Sequence, residues 1–230
     1  MFKDIKIIGF DADDTLWHNE PFFRAAEKRL LELLEGYGAP DYLAKELLAV
    51  EVKNMPLYGY GIKAFTLSML ETALKISNNT LPAQTAAAIL ELGQSMLKKP
   101  VVLLDGVQEV LEILGARYKL VVATKGDLLD QQRKLTKSGL VKYLHHIEVM
   151  SEKDEENYLK LLKYLNVKPQ NFLMIGNSLK SDILPVLNIG GCALHIPHPD
   201  TWTYEQADPG EIKNKNFAAA GKIKDILKFL

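Results

Sequence analysis

The chain has 230 residues and a formal net charge of −1 at pH 7. It is long enough to bury a substantial core, as one large domain or two modest ones, and it has no basic excess of the kind that holds nucleic acid without specificity. A single cysteine, Cys192, excludes an internal disulfide and a cysteine-based zinc site. No apolar run can span a bilayer, and the N-terminus lacks the apolar stretch of a signal peptide. The expected setting is therefore reducing and cytoplasmic, with no membrane partner and no nucleic acid.

Ile5, Ile7, Ile8 and Phe10 make residues 5–10 a mostly apolar stretch that reads as a buried strand. They end abruptly in Asp11, Asp13 and Asp14. Carboxylates this close raise one another's pKa, and a hard cation with a preference for oxygen ligands removes the conflict. The strand end thus reads as a magnesium site with a carboxylate nucleophile available. The alternative is a surface turn or helix cap, where Asp before Thr is common.

Residues 18–99 contain no convincing strand. Asn19-Glu20-Pro21 is a helix start with Pro in the first turn, and Phe22, Phe23, Ala26, Leu30, Leu33 and Leu34 follow at helical spacing. Further helical patterns cover 41–52, 62–76 and 82–97. Tyr58-Gly59-Tyr60-Gly61 reads as a flexible aromatic loop, with Tyr58 and Tyr60 as candidate substrate contacts. This stretch reads as an all-helical insertion.

From residue 100 onward, strand patterns at 120–123, 146–150, 172–175 and 193–196 alternate with helical ones at 107–114, 128–138, 155–165 and 182–189. Alternation of this kind predicts a parallel sheet covered on both faces, with every strand C-terminus at one edge, where ligands bind. Residues 197–216 read as loop and 222–230 as a closing amphipathic helix. The predicted class is α/β: a Rossmann-like parallel-sheet core from residues 1–17 and 100–230, carrying a helical cap at 18–99.

Polar residues close each later strand. Thr124 and Lys125 precede Gly126 and a helix start, which is either a phosphate cradle or simple capping. Lys153 follows the strand at 146–150 and can neutralise a phosphate or a carboxylate as a point charge. Gly176-Asn177-Ser178 leads to Asp182, so Asn177 and Asp182 are oxygen donors able to complete a magnesium shell.

Taken together and in this order, these segments resemble the haloacid dehalogenase-like hydrolase superfamily. Asp11-Ala12-Asp13-Asp14-Thr15 resembles its first motif, Thr124 the second-motif hydroxyl, Lys153 the third-motif base and Gly176 to Asp182 the fourth. The insertion lies where that superfamily places a mobile cap. There are two departures: Asn177 stands where Asp is usual after Gly, and Asp154 follows Lys153 where Pro is common. Lys125 or Lys180 could substitute for Lys153.

The resemblance implies a Mg²⁺-dependent phosphatase acting on a small phosphorylated metabolite, as monomer or homodimer. Asp11 would form an aspartyl-phosphate and Asp13 would serve as general acid, then general base. Thr124, Lys125 and Lys153 would hold the phosphate. Metal ligands would be Asp11, the Asp13 carbonyl, and Asn177 or Asp182. Asp13 favours phosphate ester hydrolysis over halide removal from carbon. Other readings are a phosphomutase sharing all four motifs, a receiver-type phosphoacceptor, which the Asp11-x-Asp13 spacing and the insertion oppose, and a catalytically weak binder of phosphorylated ligands.

Overall fold

The computed structural model describes residues 2–205 and 212–230. It divides into two compact units, one formed by Met1–Glu20, Val101–Lys125 and Gln131–Leu230, the other by Pro21–Pro100 with Gly126–Asp130.

The first unit is built on six strands: β1 (Ile7–Phe10), β2 (Lys119–Lys125), β3 (His146–Met150), β4 (Phe172–Gly176), β5 (Cys192–His195) and β6 (Phe217–Ala219). They form one sheet in the order β3-β2-β1-β4-β5-β6, and every pairing is parallel. Strand β1 is fully buried because both its neighbours and both its faces are covered. Ile8 and Phe10 join a cluster with Leu120, Val122 and Ile175, beneath Val107, Val110, Leu111 and Leu114 of helix α5 (Val107–Gly115). Ile7 faces the other way, with Val121, Phe172 and Met174, toward Tyr158, Leu161 and Leu162 of helix α7 (Glu155–Tyr164). Each such fully buried aliphatic side chain contributes about 1.5–3 kcal/mol. Gly9 is dictated by packing: a Cβ there would stand 2.5 Å from the Phe172 ring on the adjacent strand. Because Ile7 pairs with both Lys119 and Phe172, the C-terminal ends of β1, β2 and β4 reach the same edge together.

Three local expectations need correction. Strand β6 falls in a stretch with no strand pattern; with three residues it is too short to show alternation, and it exists because the edge of β5 pairs it. Residues 222–230 carry a 3-10 turn at Ile223–Lys228 in place of the amphipathic α-helix. Its buried residues, Ile223 and Ile226, are three apart, a spacing that three residues per turn bring onto one side. At 182–189 the chain forms a π-type turn, Leu179–Ile183, followed by the short helix α8 (Leu184–Asn188). Residues 206–211 of the predicted loop lie outside the described residues.

The second unit contains α1 (Glu20–Leu33), α2 (Pro40–Tyr58), α3 (Ile62–Ile76) and α4 (Ala83–Lys98). Helix α2 runs past the expected end at 52 and stops at Gly59, whose φ of 68° a side chain would resist. Its core gathers Leu30, Leu34, Leu43, Leu47, Met69 and Ile89, and the Phe23 and Phe65 rings lie 5.1 Å apart.

Candidate active site

Asp11 leaves β1 with its backbone N–H donating to the Ile175 carbonyl of β4, 2.8 Å away. That bond extends the ladder by one residue and places the carboxylate at the sheet edge. Lys153 follows β3, and its ammonium bridges two carboxylates, donating to Asp11 Oδ1 at 2.5 Å and Asp182 Oδ1 at 2.6 Å. The second oxygen of each is also engaged: Thr15 Oγ1 donates to Asp11 Oδ2 at 3.1 Å, and the Ser178 N–H donates to Asp182 Oδ2 at 2.9 Å. The fourth-motif turn closes tightly enough that a Cβ on Gly176 would lie 2.2 Å from the Asp182 carboxylate. Only glycine fits before Asn177.

Burial dominates the electrostatics. It pushes the Asp11 carboxyl up to about 7, against the pull of Lys153. Burial also opposes the Lys153 charge, but Asp11 and Asp182 outweigh it and hold the ammonium firmly protonated. Tyr158, buried behind them, keeps its proton and donates to the Ser181 carbonyl at 3.1 Å.

Asn177 is the pivot of the opposite wall. His195 at the end of β5 holds its backbone, with Nε2 3.0 Å from the Asn177 carbonyl oxygen; burial lowers the imidazole pKa, leaving a neutral ring that donates there. The Asn177 side chain donates through Nδ2 to Thr201 Oγ1 at 3.2 Å. The inner end of the amide stands 3.2 Å from Thr15 Oγ1, 3.2 Å from Asp11 Oδ2 and 3.3 Å from the Asp13 carbonyl oxygen; Nδ2 turned inward donates to them, whereas Oδ1 turned inward needs a cation between it and the last two. Two oxygens and one end of the Asn177 amide thus converge, and the amide supplies a third oxygen when Oδ1 is turned inward. Oxygens bound at about 2.1 Å on an octahedral Mg²⁺ stand roughly 3 Å apart, so this trio could hold such a cation. No group of three His, Cys, Asp or Glu side chains with that capacity occurs among the described residues; the trio mixes a carboxylate, an amide and a backbone carbonyl.

Asp13 lies beside this trio with its carboxylate held by three donors. Trp17 Nε1 donates at 2.6 Å, Gln131 Nε2 at 2.8 Å, and Lys134 Nζ at 2.9 and 3.2 Å to the two oxygens. Asp14, at a φ of 61°, which Asp tolerates better than most residues, caps the chain at the start of α1 by accepting from the N–H groups of Asn19 and Glu20. Burial is again the main reason its carboxyl is pushed up.

The remaining predicted residues are placed as follows. Thr124 is buried at the end of β2, its hydroxyl 3.2 Å from the Lys125 carbonyl. Lys125 donates to Ser181 Oγ at 2.9 Å and to Glu205 at 2.6 Å. Tyr58, half-exposed at the end of α2, and Tyr60 belong to the second unit.

Several side chains around the site escape sequence reading. Trp17, four residues from Asp13, reads from the sequence as a candidate substrate contact and not as the donor to Asp13 that it is. Gln131 and Lys134 are three apart on helix α6 (Leu128–Ser138), so they share a face; that spacing is a signal, though one shared by many surface helices. Thr201 and Glu205 give no signal at all. Glu205 accepts from Lys125, Ser178 Oγ and Ser181 Oγ, the last two at 2.5 Å. Burial disfavours its charge, but Lys125 and both hydroxyls outweigh it and hold the carboxyl below the usual range.

The family model of the haloacid dehalogenase-like hydrolases matches residues 5–190. The chain belongs to this family. A solved haloacid dehalogenase-like family hydrolase from Xanthomonas campestris is 40% identical, with a TM-score of 0.81, over 90% of this chain and 87% of the other. Among curated relatives, a glyceraldehyde 3-phosphate phosphatase of Pyrococcus furiosus is 26% identical over 82% of this chain and 79% of its own. An N-acylneuraminate-9-phosphatase of Mus musculus is 29% identical over 81% and 79%. Within this haloacid dehalogenase-like hydrolase, Asp11, Thr124, Lys153 and Asn177 all lie inside the matched segment, whereas Thr201 and Glu205 lie beyond it.

Proposed function

We propose that this hydrolase is a Mg²⁺-dependent phosphatase that cleaves a small phosphate monoester through an aspartyl-phosphate on Asp11. The observation that carries the reading is the convergence of Asp11 Oδ2, the Asp13 carbonyl oxygen and the Asn177 side-chain amide, whose oxygen a bound cation would turn inward, beside the Lys153–Asp11 ion pair. Those three oxygens are the ligands we assign to the cation. Asp182, with Lys153 on one oxygen and the Ser178 N–H on the other, sits behind them and anchors the lysine.

When bound, Mg²⁺ supplies charge that offsets repulsion between Asp11 and a phosphate dianion. Asp11 attacks phosphorus; a P–O bond forms and the ester P–O bond breaks. Asp13 must first take up a proton; it gives this to the leaving alkoxide and then regains one from the water that attacks the aspartyl-phosphate, so that it ends the cycle as it began the chemical step. Phosphate leaves and Asp11 is restored. To reach the leaving oxygen, Asp13 exchanges at least one of its contacts with Trp17, Gln131 and Lys134. Thr124 and Lys153 hold the phosphate, since phosphoryl transfer asks mainly for positioning and charge stabilisation. A carboxylate at Asp13 has no evident use in halide removal from carbon, and this favours the phosphatase reading over dehalogenation.

The test is release of inorganic phosphate from an aryl phosphate with Mg²⁺ and then with excess chelator. The substrates named for the two curated relatives are the first metabolites to try. Metal-dependent release supports the reading. Folded protein that binds no Mg²⁺ and releases no phosphate from any of these compounds overturns it.

A further inference from the structure

Buried polar atoms in a folded chain almost always have a hydrogen-bond partner, and one that lacks it calls for a reason. Among the described residues one such side-chain atom stands out beside the site, Gln131 Oε1 on helix α6, in a residue only 2% exposed. The direction of this amide is fixed by its neighbours. Nε2 stands 2.7 Å from the Lys125 carbonyl and 2.8 Å from Asp13 Oδ2. A carbonyl cannot donate, so the nitrogen end must face it, and both of its protons are spent on these two acceptors. Oε1 is left with its lone pairs unused.

That spare acceptor lies next to Asp13. The two ends of an amide are ~2.3 Å apart, so Oε1 is no more than about 5 Å from Asp13 Oδ2, a span that one water making bonds of about 2.8 Å to each can bridge. The second half of the reaction needs such a water. It has two protons, and Asp13 takes only one. The other needs its own acceptor if the lone pair is to stay aimed at phosphorus. The other groups bonded to the Asp13 carboxylate, Trp17 Nε1 and Lys134 Nζ, are donors only and cannot take it. Gln131 Oε1 can.

We infer that Gln131 is a catalytic residue of the hydrolytic half-reaction, whose Oε1 accepts a hydrogen bond from the attacking water while Asp13 accepts the other. The inference rests on the aspartyl-phosphate reading above. The water oxygen bonds to phosphorus and the bond from phosphorus to Asp11 breaks. One proton passes to Asp13, which the first step left as a carboxylate. The proton held by Gln131 stays on the new phosphate, and Asp11 departs as a carboxylate. In the first half-reaction no water attacks, so Gln131 Oε1 has no part in it. Loss of this kind of alignment costs on the order of 100-fold in the step concerned.

The experiment is Gln131→Met on the full chain, with 4-nitrophenyl phosphate and a simple alkyl phosphate as substrates in the presence of Mg²⁺. Methionine keeps the length and helix preference of glutamine and removes the acceptor. With the aryl ester, rapid mixing should show a burst of nitrophenolate equal to the enzyme present, then a kcat about 100-fold below wild type, and acid-quenched samples should contain the phosphorylated chain. kcat/KM, which reports the steps up to loss of the leaving group, should stay at the wild-type value with both esters. If Gln131 acts only by holding Asp13, the alkyl ester, whose leaving group needs a proton, loses kcat/KM as well; that outcome overturns the inference. So does a wild-type kcat with no phosphorylated chain accumulating. If Gln131→Met does not fold, Gln131→Leu is read against the same outcomes. Wild-type protein that releases no phosphate and forms no phosphorylated Asp11 removes the aspartyl-phosphate reading and this inference together; wild-type turnover that Gln131→Met matches removes only the inference.

Discussion

The two units bury carboxylates in opposite ways. In the first unit each buried acid faces donors: Asp11 and Asp182 share Lys153, and Glu205 gathers Lys125, Ser178 and Ser181. In the second, Glu51 on α2 is half-buried with Glu27 near it. Burial first, and then that like charge, push its carboxyl up to about 7, with Arg24 only partly opposing. A buried charge is costly unless it is paired and hydrogen-bonded. The first unit keeps such charges because chemistry at the sheet edge uses them; in the second the cost stands with little compensation. Deleting the charge of Glu205 in the first unit and that of Glu51 in the second should therefore act with opposite signs.

The largest effect belongs to the nucleophile. Asp11→Asn preserves shape and should lower turnover by ~1,000-fold or more, a barrier increase of about 4 kcal/mol, with the circular dichroism spectrum unchanged. Activity near wild type would remove Asp11 from the chemistry. Lys153→Met comes next. It leaves Asp11 and Asp182 buried without their shared cation, and breaking such a pair costs about 3–5 kcal/mol. The melting temperature should fall on the order of 10 °C and activity should go with it. A variant as stable as wild type would show that the two acids simply take up protons when the lysine leaves.

The difference between the units also marks what the sequence discloses. Strand ends are set by register: once β1, β2 and β4 are aligned by their continuous apolar runs, Asp11, Thr124 and Asn177 come to one edge whatever the loops do. The hydroxyl, lysine and carboxylates after those strands are therefore legible, and so are the helices of the second unit, because periodicity dictates them. Thr201 and Glu205 are not legible. They sit on irregular chain after β5, where neither period nor register fixes a side chain's direction, and they matter only through hydroxyls and a lysine distant in sequence. Strand β6 and the 3-10 turn at Ile223–Lys228 escaped for a related reason: each is held by partners elsewhere in the sheet unit and not by its own pattern.

Glu205 sharpens the comparison from the paired side. Its carboxyl is held below the usual range, so the unfolded chain binds its proton more readily than the folded one. The stability it contributes is present above the unfolded value and is lost as pH falls through the folded one. Glu205→Gln should cost about 1–3 kcal/mol near pH 7, the scale of hydrogen bonds to a charged group. The gap from wild type should close as pH falls below about 4, because protonation makes the wild-type side chain neutral as well. Denaturant titrations at a series of pH values measure it; a gap that stays constant with pH would mean that the charge of Glu205 contributes nothing.

Glu51 provides the smallest effect and the reversed sign. Its folded pKa, about 7, lies above the 4.5 of an unperturbed glutamate, so here the folded state binds the proton more tightly. Whatever stability protonation gives is complete below pH 4.5 and is lost progressively as pH rises through about 7. Glutamine mimics the protonated form at every pH. Glu51→Gln should thus melt with wild type near pH 4.5 and above it at pH 8, by a few degrees, after allowing for the part of the side chain that solvent still screens. Substituting a neutral amide for a buried acid would then destabilise one unit near pH 7 and stabilise the other, which is the contrast their pairing predicts. A Glu51→Gln variant less stable than wild type at pH 8 would mean that Arg24 compensates this carboxylate fully, and that the two units bury charge by the same rule.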